Sequence, residues 1–415
     1  MAGDILVTNI GELSTPLGTT ARKGSQMADI RVVENAAVLV KDGIIVYAGP
    51  GTDVPWEEAD GVPVMSAAGR AALPGFVDSH THFVFAGYRD DEFMWRASGM
   101  PYMEIHERGG GIKRSMESTR AASLEELVEL GERRLWTMLS MGITTVEGKS
   151  GYGLDLETEL RQLEAMSQLS DRTPAAIVPT YLGPHATPPE YQGRSSEYLD
   201  YVIEEVLPSV RAQGHAKFCD VFCEQGVFGL DESRRYLEAA ASMGFPLKLH
   251  ADEIVQLGGA GLAAQMHAVS ADHLLKASPA DIAALAREGV VATCLPLTAF
   301  TLREPYADAR AMIGAGCAVA LASDFNPGSC YSQSIPLLFA LAVLYMHLSL
   351  EETITALTLN GAAALGLADR IGSLEPGKEG DIVILEARSA RFLAYNAGMN
   401  VVASVIKGGE IAYRA

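Results

Sequence analysis

Leu73-Pro74-Gly75-Phe76-Val77-Asp78-Ser79-His80-Thr81-His82 decides how this chain is read. An apolar run ends in a carboxylate and two histidines one residue apart. On an extended strand such a pair points to one side, so both imidazoles can reach a single metal ion. The same order, apolar run and then polar groups, recurs along the chain. Residues 144–146 lead into Glu147-Gly148-Lys149-Ser150-Gly151-Tyr152-Gly153, 176–179 into Gly183-Pro184-His185, and 218–222 into Glu224. Residues 247–249 lead into His250-Ala251-Asp252-Glu253, 268–270 into Asp272-His273, and 319–322 into Ser323-Asp324-Phe325-Asn326-Pro327-Gly328.

With 290–294, which carries no such tail, the apolar runs number eight. Helical spacing of apolar residues separates most of them, at 124–141, 157–169, 197–213, 232–243 and 279–288. Short strands alternating with helices imply parallel βαβ units, and eight of them imply a closed, distorted TIM-type (β/α)8 barrel. In such a barrel the strand C-termini and the loops after them form the active face, so the polar tails converge. An open doubly wound sheet would need a glycine-rich dinucleotide turn after its first strand, and none is present. Gly109-Gly110-Gly111 follows no strand and reads as a loop.

The two ends of the chain have a different rhythm. Lys41-Asp42-Gly43 lies between apolar runs 37–40 and 44–48, a hairpin signal. Residues 381–385 read as a strand, and 401–406 and 410–413 flank Lys407-Gly408-Gly409. The ends are expected to combine into a small β-sandwich module, residues 1–72 plus 373–415, with the barrel over 73–372.

Composition narrows the partners. A net charge of −20, from 32 basic and 52 acidic residues, repels nucleic acid and anionic membranes. An anionic substrate then requires a local cation in its pocket. The N-terminus lacks a secretory pattern and no apolar stretch has the length of a membrane span. Five cysteines, an odd number, read as reduced thiols. A cytoplasmic location is expected. Residues 335–348 read as a core helix, with a homodimer face as the alternative.

His80 and His82 gain weight from two more donors at distant strand ends, His250 and Asp324. Three imidazoles and one carboxylate suit one zinc or iron ion with a position left for water. Glu253, three residues beyond His250, faces the substrate on this reading, and His273 at the next strand end holds the attacking water. His106, His215, His267 and His347 have no partner pattern and read as packed or solvated. Cys219 and Cys223 flank an apolar strand and read as buried small hydrophobes.

At this point the residues resemble the amidohydrolase superfamily. Pro74-Gly75-Phe76-Val77-Asp78-Ser79-His80-Thr81-His82 is similar to its first-strand signature, and the stretch from Gly372 through Pro376-Gly377 to Asp381-Ile382-Val383 to its return into the β module. Gly109-Gly110-Gly111-Ile112, Lys149-Ser150-Gly151-Tyr152-Gly153-Leu154, Gly226-Val227-Phe228, Ser270-Ala271-Asp272-His273 and Asp324-Phe325-Asn326-Pro327-Gly328 resemble one branch of it that acts in histidine breakdown. The resemblance implies hydrolytic ring opening of 4-imidazolone-5-propanoate, a small anionic heterocycle, to N-formimidoyl-L-glutamate. It implies His80, His82, His250 and Asp324 as metal ligands. Arg89, Tyr152, His185, Asn326, Gly328 and Ser329 would bind substrate, Arg89 supplying the required cation. Glu253, His273 and Asp324 would move protons. Residues 329–333 and 393–400 depart from the branch pattern. A heterocycle deaminase could use the same polar set but would release ammonia, and an inactive scaffold would have no reason to keep every ligand.

Overall fold

The computed structural model describes residues 3–100, 104 and 110–415. Gly75 marks the passage from one sheet to the other. Before it, Ala71–Pro74 pairs with Ile382–Leu385 and with Ile5–Pro16; after it, Phe76–Asp78 pairs with Ile143–Lys149. The run read as one apolar segment is therefore two short strands in different sheets. A side chain at 75 has no room, because a Cβ there would stand 2.1 Å from the Thr144 hydroxyl.

The barrel strands are parallel throughout. Phe76–Asp78, Ile143–Lys149, Ala176–Tyr181 and Phe218–Cys219 form one arc; Phe222–Cys223, Lys248–Ala251, Ser270–His273, Val291–Cys294 and Val319–Leu321 form the other. Single bridges, Cys219 to Leu247 and Thr81 to Phe325, join the arcs and close the ring. At the second seam His82 N donates to Phe325 O at 2.8 Å and Asp324 N to His80 O at 3.0 Å. Backbone pairing itself thus brings the start of the barrel against its end. The expected fourth strand, 218–222, is broken in two around Asp220, whose amide donates to Tyr181 O at 2.9 Å while its carboxylate turns inward.

Helices follow the expected spans because their ends are capped. Ser123 and Glu126 form a reciprocal capping box at the start of Leu124–Ser140, and Asp155 caps Leu156–Arg172. The span expected at 197–213 is helical but interrupted, with the π turn Val202–Val206 between Ser195–Tyr201 and Leu207–Gln213. Pro208 accounts for the irregularity, having no N–H to donate into the preceding turn. Ile335–Leu344 is buried along most of its length, as a core helix should be.

Both termini enter one eight-stranded sheet, in the order Glu410–Arg414, Val402–Lys407, Ile382–Leu385, Ala71–Pro74, Ile5–Pro16, Ile30–Lys41, Ile44–Pro50, with Val64–Ser66 beside Ile5–Pro16. Its hairpins turn where expected. Asp42 and Gly43 have φ of 50° and 78°, Gly408 and Gly409 of 54° and 80°, the left-handed pairs that a two-residue hairpin requires. Val7, Val38 and Ile382 bury one face and Leu6, Leu39 and Val62 the other. All five cysteines are buried and unpaired. No helix among the described residues is long and apolar enough to cross a membrane. His106 and Gly109 lie outside the described residues.

Gly75→Ala should destabilise the protein by about 1–3 kcal/mol, the usual cost of forcing atoms into a packed site. Denaturant unfolding of the two proteins measures it; equal midpoints would contradict the close approach of Thr144.

Candidate active site

The polar tails do converge. His80, His82 and Asp324 offer ligand atoms within 4.8 Å of one another, as do His80, His250 and His273, and His82, His185 and His250. Asp324 Oδ1 lies 3.6 Å from both His80 Nε2 and His82 Nε2, while its Oδ2 accepts from Thr298 Oγ1 at 2.7 Å. The four ligand candidates therefore face one small volume. His185 stacks on His82 with ring centroids 5.1 Å apart.

These imidazoles are prepared for a cation. His80 Nε2, His250 Nε2 and both ring nitrogens of His273 are buried without a hydrogen-bond partner. Burial pushes the His80, His82 and His250 rings well below the usual histidine range, with neighbouring cations adding to it. The same cause lowers His273 to about 3 and His185 to about 4. Neutral imidazoles with free lone pairs are the ligand form of histidine. Buried polar atoms without partners are costly, so the cluster fits a metal ion better than it fits an empty core.

Beneath the cluster lies a charged floor that the sequence reading did not assign. His80 Nδ1 is 2.7 Å from Asp272 Oδ2, and His250 Nδ1 is 3.1 Å from Asp220 Oδ2. Lys149 Nζ joins these carboxylates, at 2.6 Å from Asp220 and 3.5 Å from Asp272, and reaches Glu147 at 3.0 Å. Lys248 Nζ bonds Glu147 at 2.9 Å and Ser79 O at 3.0 Å. All five charged side chains are fully buried. The signal was in the sequence: Glu147 and Lys149, Lys248 and His250, and Ser270 and Asp272 are each two apart on barrel strands, which puts them on one face.

The expected substrate residues stand around this centre. Tyr152 is buried, its ring edge-on to His82 at 5.7 Å and to His185 at 5.3 Å. His185 Nδ1 lies 3.0 Å from Gly151 O, which fixes its ring. Arg89 does not project to solvent beside Asp90 and Asp91; it makes a two-pronged pair with Glu92 and lies against Gly328. A Cβ at 328 would stand 2.2 Å from an Arg89 nitrogen, so a larger residue there would displace the guanidinium. Asn326 acts on its own loop. Its Oδ1 accepts from the amides of Gly328 and Ser329, both at 2.8 Å, and its Nδ2 donates to Ser329 Oγ at 2.8 Å.

Glu253 and His273 face each other, with 3.6 Å between Oε1 and Nδ1. Burial, with Asp324 and Glu224 nearby, pushes the Glu253 carboxyl up to about 8. Its loop is held from outside: Glu224 accepts from Ile254 N at 2.8 Å, and Asp252 from the amides of Leu257, Gly258, Gly259 and Ala260. Of the other histidines, His215 pairs with Glu164 at 2.9 Å and His267 is exposed, both away from the centre.

A model described as the amidohydrolase family matches residues 71–412, and the chain belongs to that family. Solved structures agree on the fold: guanine deaminase from E. coli superposes with a TM-score of 0.73 at 15% identity, covering 100% of both chains. A zinc-bound adenosine deaminase from Xanthomonas campestris gives 0.65 at 20%, covering 99% of this chain and 92% of that one. Within the family the chain is one of the imidazolonepropionases. It is 56% identical over 408 residues to the imidazolonepropionase of Parabacteroides distasonis, covering 98% of each.

Asp272→Asn, which leaves His80 without its carboxylate, should weaken metal binding by roughly 10–100-fold. Titration of metal-free protein followed by elemental analysis reads this directly. Unchanged affinity would remove Asp272 from the account.

Proposed function

We propose that the chain hydrolyses 4-imidazolone-5-propanoate to N-formimidoyl-L-glutamate in histidine degradation, with His80, His82, His250 and Asp324 holding one zinc or iron ion. The observation that carries this reading is the set of buried neutral imidazoles with unpartnered nitrogens around the Asp324 carboxylate. An ion bound there supplies a nucleophile at neutral pH by lowering the pKa of a water toward about 7.

The rest is the work of side chains. The substrate's propanoate needs a cation in a protein of net charge −20, and Arg89, backed by Glu92 and lying against Gly328, provides it. Tyr152 and His185 flank the ring, and Asn326 sets the turn that presents Gly328 and Ser329. Asp324 takes a proton from the attacking water. His273 orients that water. As water oxygen bonds to the ring carbonyl carbon and the carbon–nitrogen bond breaks, Glu253 gives a proton to the departing nitrogen. Its raised pKa suits the task, because the carboxyl is then protonated at neutral pH.

The same reading divides the chain into a composite module, residues 1–72 and 373–415, and a catalytic barrel, residues 73–372. It also puts the enzyme in the cytoplasm, in keeping with five buried, unpaired cysteines. Burial of Ile335–Leu344 within its own chain favours a core helix over a homodimer face, and the acidic balance disfavours nucleic acid and membrane partners.

Glu253→Gln should lower kcat by roughly 10²–10⁴-fold, the range for a lost general acid, with bound metal unchanged. In the parent enzyme the acid is present below about pH 8 and is lost as pH rises through it, so kcat should fall on the alkaline side. A near-normal kcat in the variant, or a variant that loses its metal, would refute this role.

A further inference from the structure

Val291–Cys294 is the barrel strand whose apolar run carries no polar tail in the sequence. The chain leaves it through Leu295 into the short helix Pro296–Leu302, started by a proline whose fixed φ suits a first turn. Thr298 and Thr301, three residues apart on that helix, share one face. Thr298 is buried, and its Oγ1 donates to Asp324 Oδ2 at 2.7 Å. A helical threonine ordinarily returns its hydroxyl to the carbonyl four residues back. For Thr298 that is Cys294 O, which accepts from Ala322 N at 3.2 Å instead. The Thr301 hydroxyl lies closest to Ser329 O, with Leu297 O and Thr298 O behind it at 3.0 and 3.1 Å.

These contacts fall on the two ends of one loop, residues 324–329. A carboxylate turns easily about its last torsion, so its two oxygens exchange places unless a donor fixes one of them. The bond to Oδ2 leaves Oδ1 facing the Nε2 atoms of His80 and His82, 3.6 Å from each. At the other end Asn326 folds the turn at Gly328 and Ser329, and the Ser329 carbonyl accepts from Thr301. One rigid element, about 4.5 Å long between its two threonines, thus braces both ends. Just past that helix Arg303 donates to Ala97 O at 2.8 Å, which fastens the brace to the helix behind Arg89.

We propose that the two threonines are positioning residues with separate duties: Thr298 aims the Asp324 carboxylate at the metal position, and Thr301 sets the turn that meets the substrate at Gly328 and Ser329. The inference rests on the roles proposed above for Asp324 and Ser329. It also gives work to the strand that the sequence pattern left empty. Each threonine acts through another residue, so loss of one hydroxyl disturbs one kinetic constant and spares the other. A loosened Asp324 slows bond making, whereas a displaced turn weakens substrate binding.

Valine and serine at each position test it, with steady-state kinetics on metal-saturated enzyme and metal titration of metal-free protein. Thr298→Val should lower kcat and metal affinity roughly 10–100-fold, the effect of losing a group that orients a metal ligand, with KM near the parent value. Thr301→Val should raise KM roughly two- to tenfold, the worth of one hydrogen bond, with kcat and metal affinity kept. Thr298→Ser and Thr301→Ser retain the hydroxyl and should stay close to the parent. Valine variants that change kcat and KM alike, or serine variants as impaired as the valine ones, would overturn the proposal. A parental KM in Thr301→Val would return that hydroxyl to an ordinary helical bond with Leu297 O and remove its role. A parent enzyme that leaves 4-imidazolone-5-propanoate intact would refute the proposed reaction alone. Metal titration would then still decide, with weaker binding in Thr298→Val than in Thr301→Val supporting the division and equal binding overturning it.

Discussion

The bond from His80 Nδ1 to Asp272 Oδ2, buried completely at both ends, is the interaction on which the rest of the molecule depends. A carboxylate in the middle of a barrel is tolerable only if cations oppose it. Lys149 and Lys248 do so, and they serve Asp220 and Glu147 together with Asp272. Two ammonium groups thereby hold three carboxylates, two of which stand directly behind metal-ligand candidates. Each of those imidazoles consequently presents its remaining nitrogen to the centre. The core of this barrel is an ionic lattice that aims histidines, surrounded by the usual apolar shell.

Around that floor, the upper part of the site is built from loops that bind themselves. Asn326 ties Gly328 and Ser329, Asp252 gathers four amides, and Glu224 reaches across to the loop carrying Glu253. None of these three need touch substrate for the site to fail without them. Loops organised by their own side chains keep reacting groups within the tolerance that catalysis requires, while the seam between His80–His82 and Asp324–Phe325 uses backbone pairing for the same end. The left-handed backbone at Asp252, His273 and Asp324, with φ of 50°, 76° and 50°, shows where the strands break off sharply to turn side chains inward.

Much of this was legible in the sequence. The alternation of short apolar runs with helical spacing gave the barrel, and polar tails at the strand ends gave the centre, because strand direction places those tails on one face. The two-residue glycine turns gave the module's hairpins. What escaped was set by long-range geometry. Nothing local reveals that Gly75 divides one apolar run between two sheets, or that Asp220 interrupts a strand to face inward. The Lys149–Asp220–Asp272 floor was visible only as a two-residue spacing, and charged residues on strands ordinarily point to solvent; the closure of the barrel reverses that expectation. Arg89 was assigned from resemblance, and its pairing with Glu92 depends on the first turn of the helix Asp90–Ala97.

The central claim is metal-dependent ring opening at the His80–His82–His250–Asp324 cluster. The most direct measurement follows the ultraviolet absorbance of freshly generated 4-imidazolone-5-propanoate with metal-loaded and with chelator-treated enzyme, while assaying ammonia. The account predicts rapid loss of substrate with the loaded enzyme, none after chelation, and no ammonia. Ammonia release in step with substrate loss would instead identify a deaminase, and an inert loaded enzyme would contradict the assignment altogether.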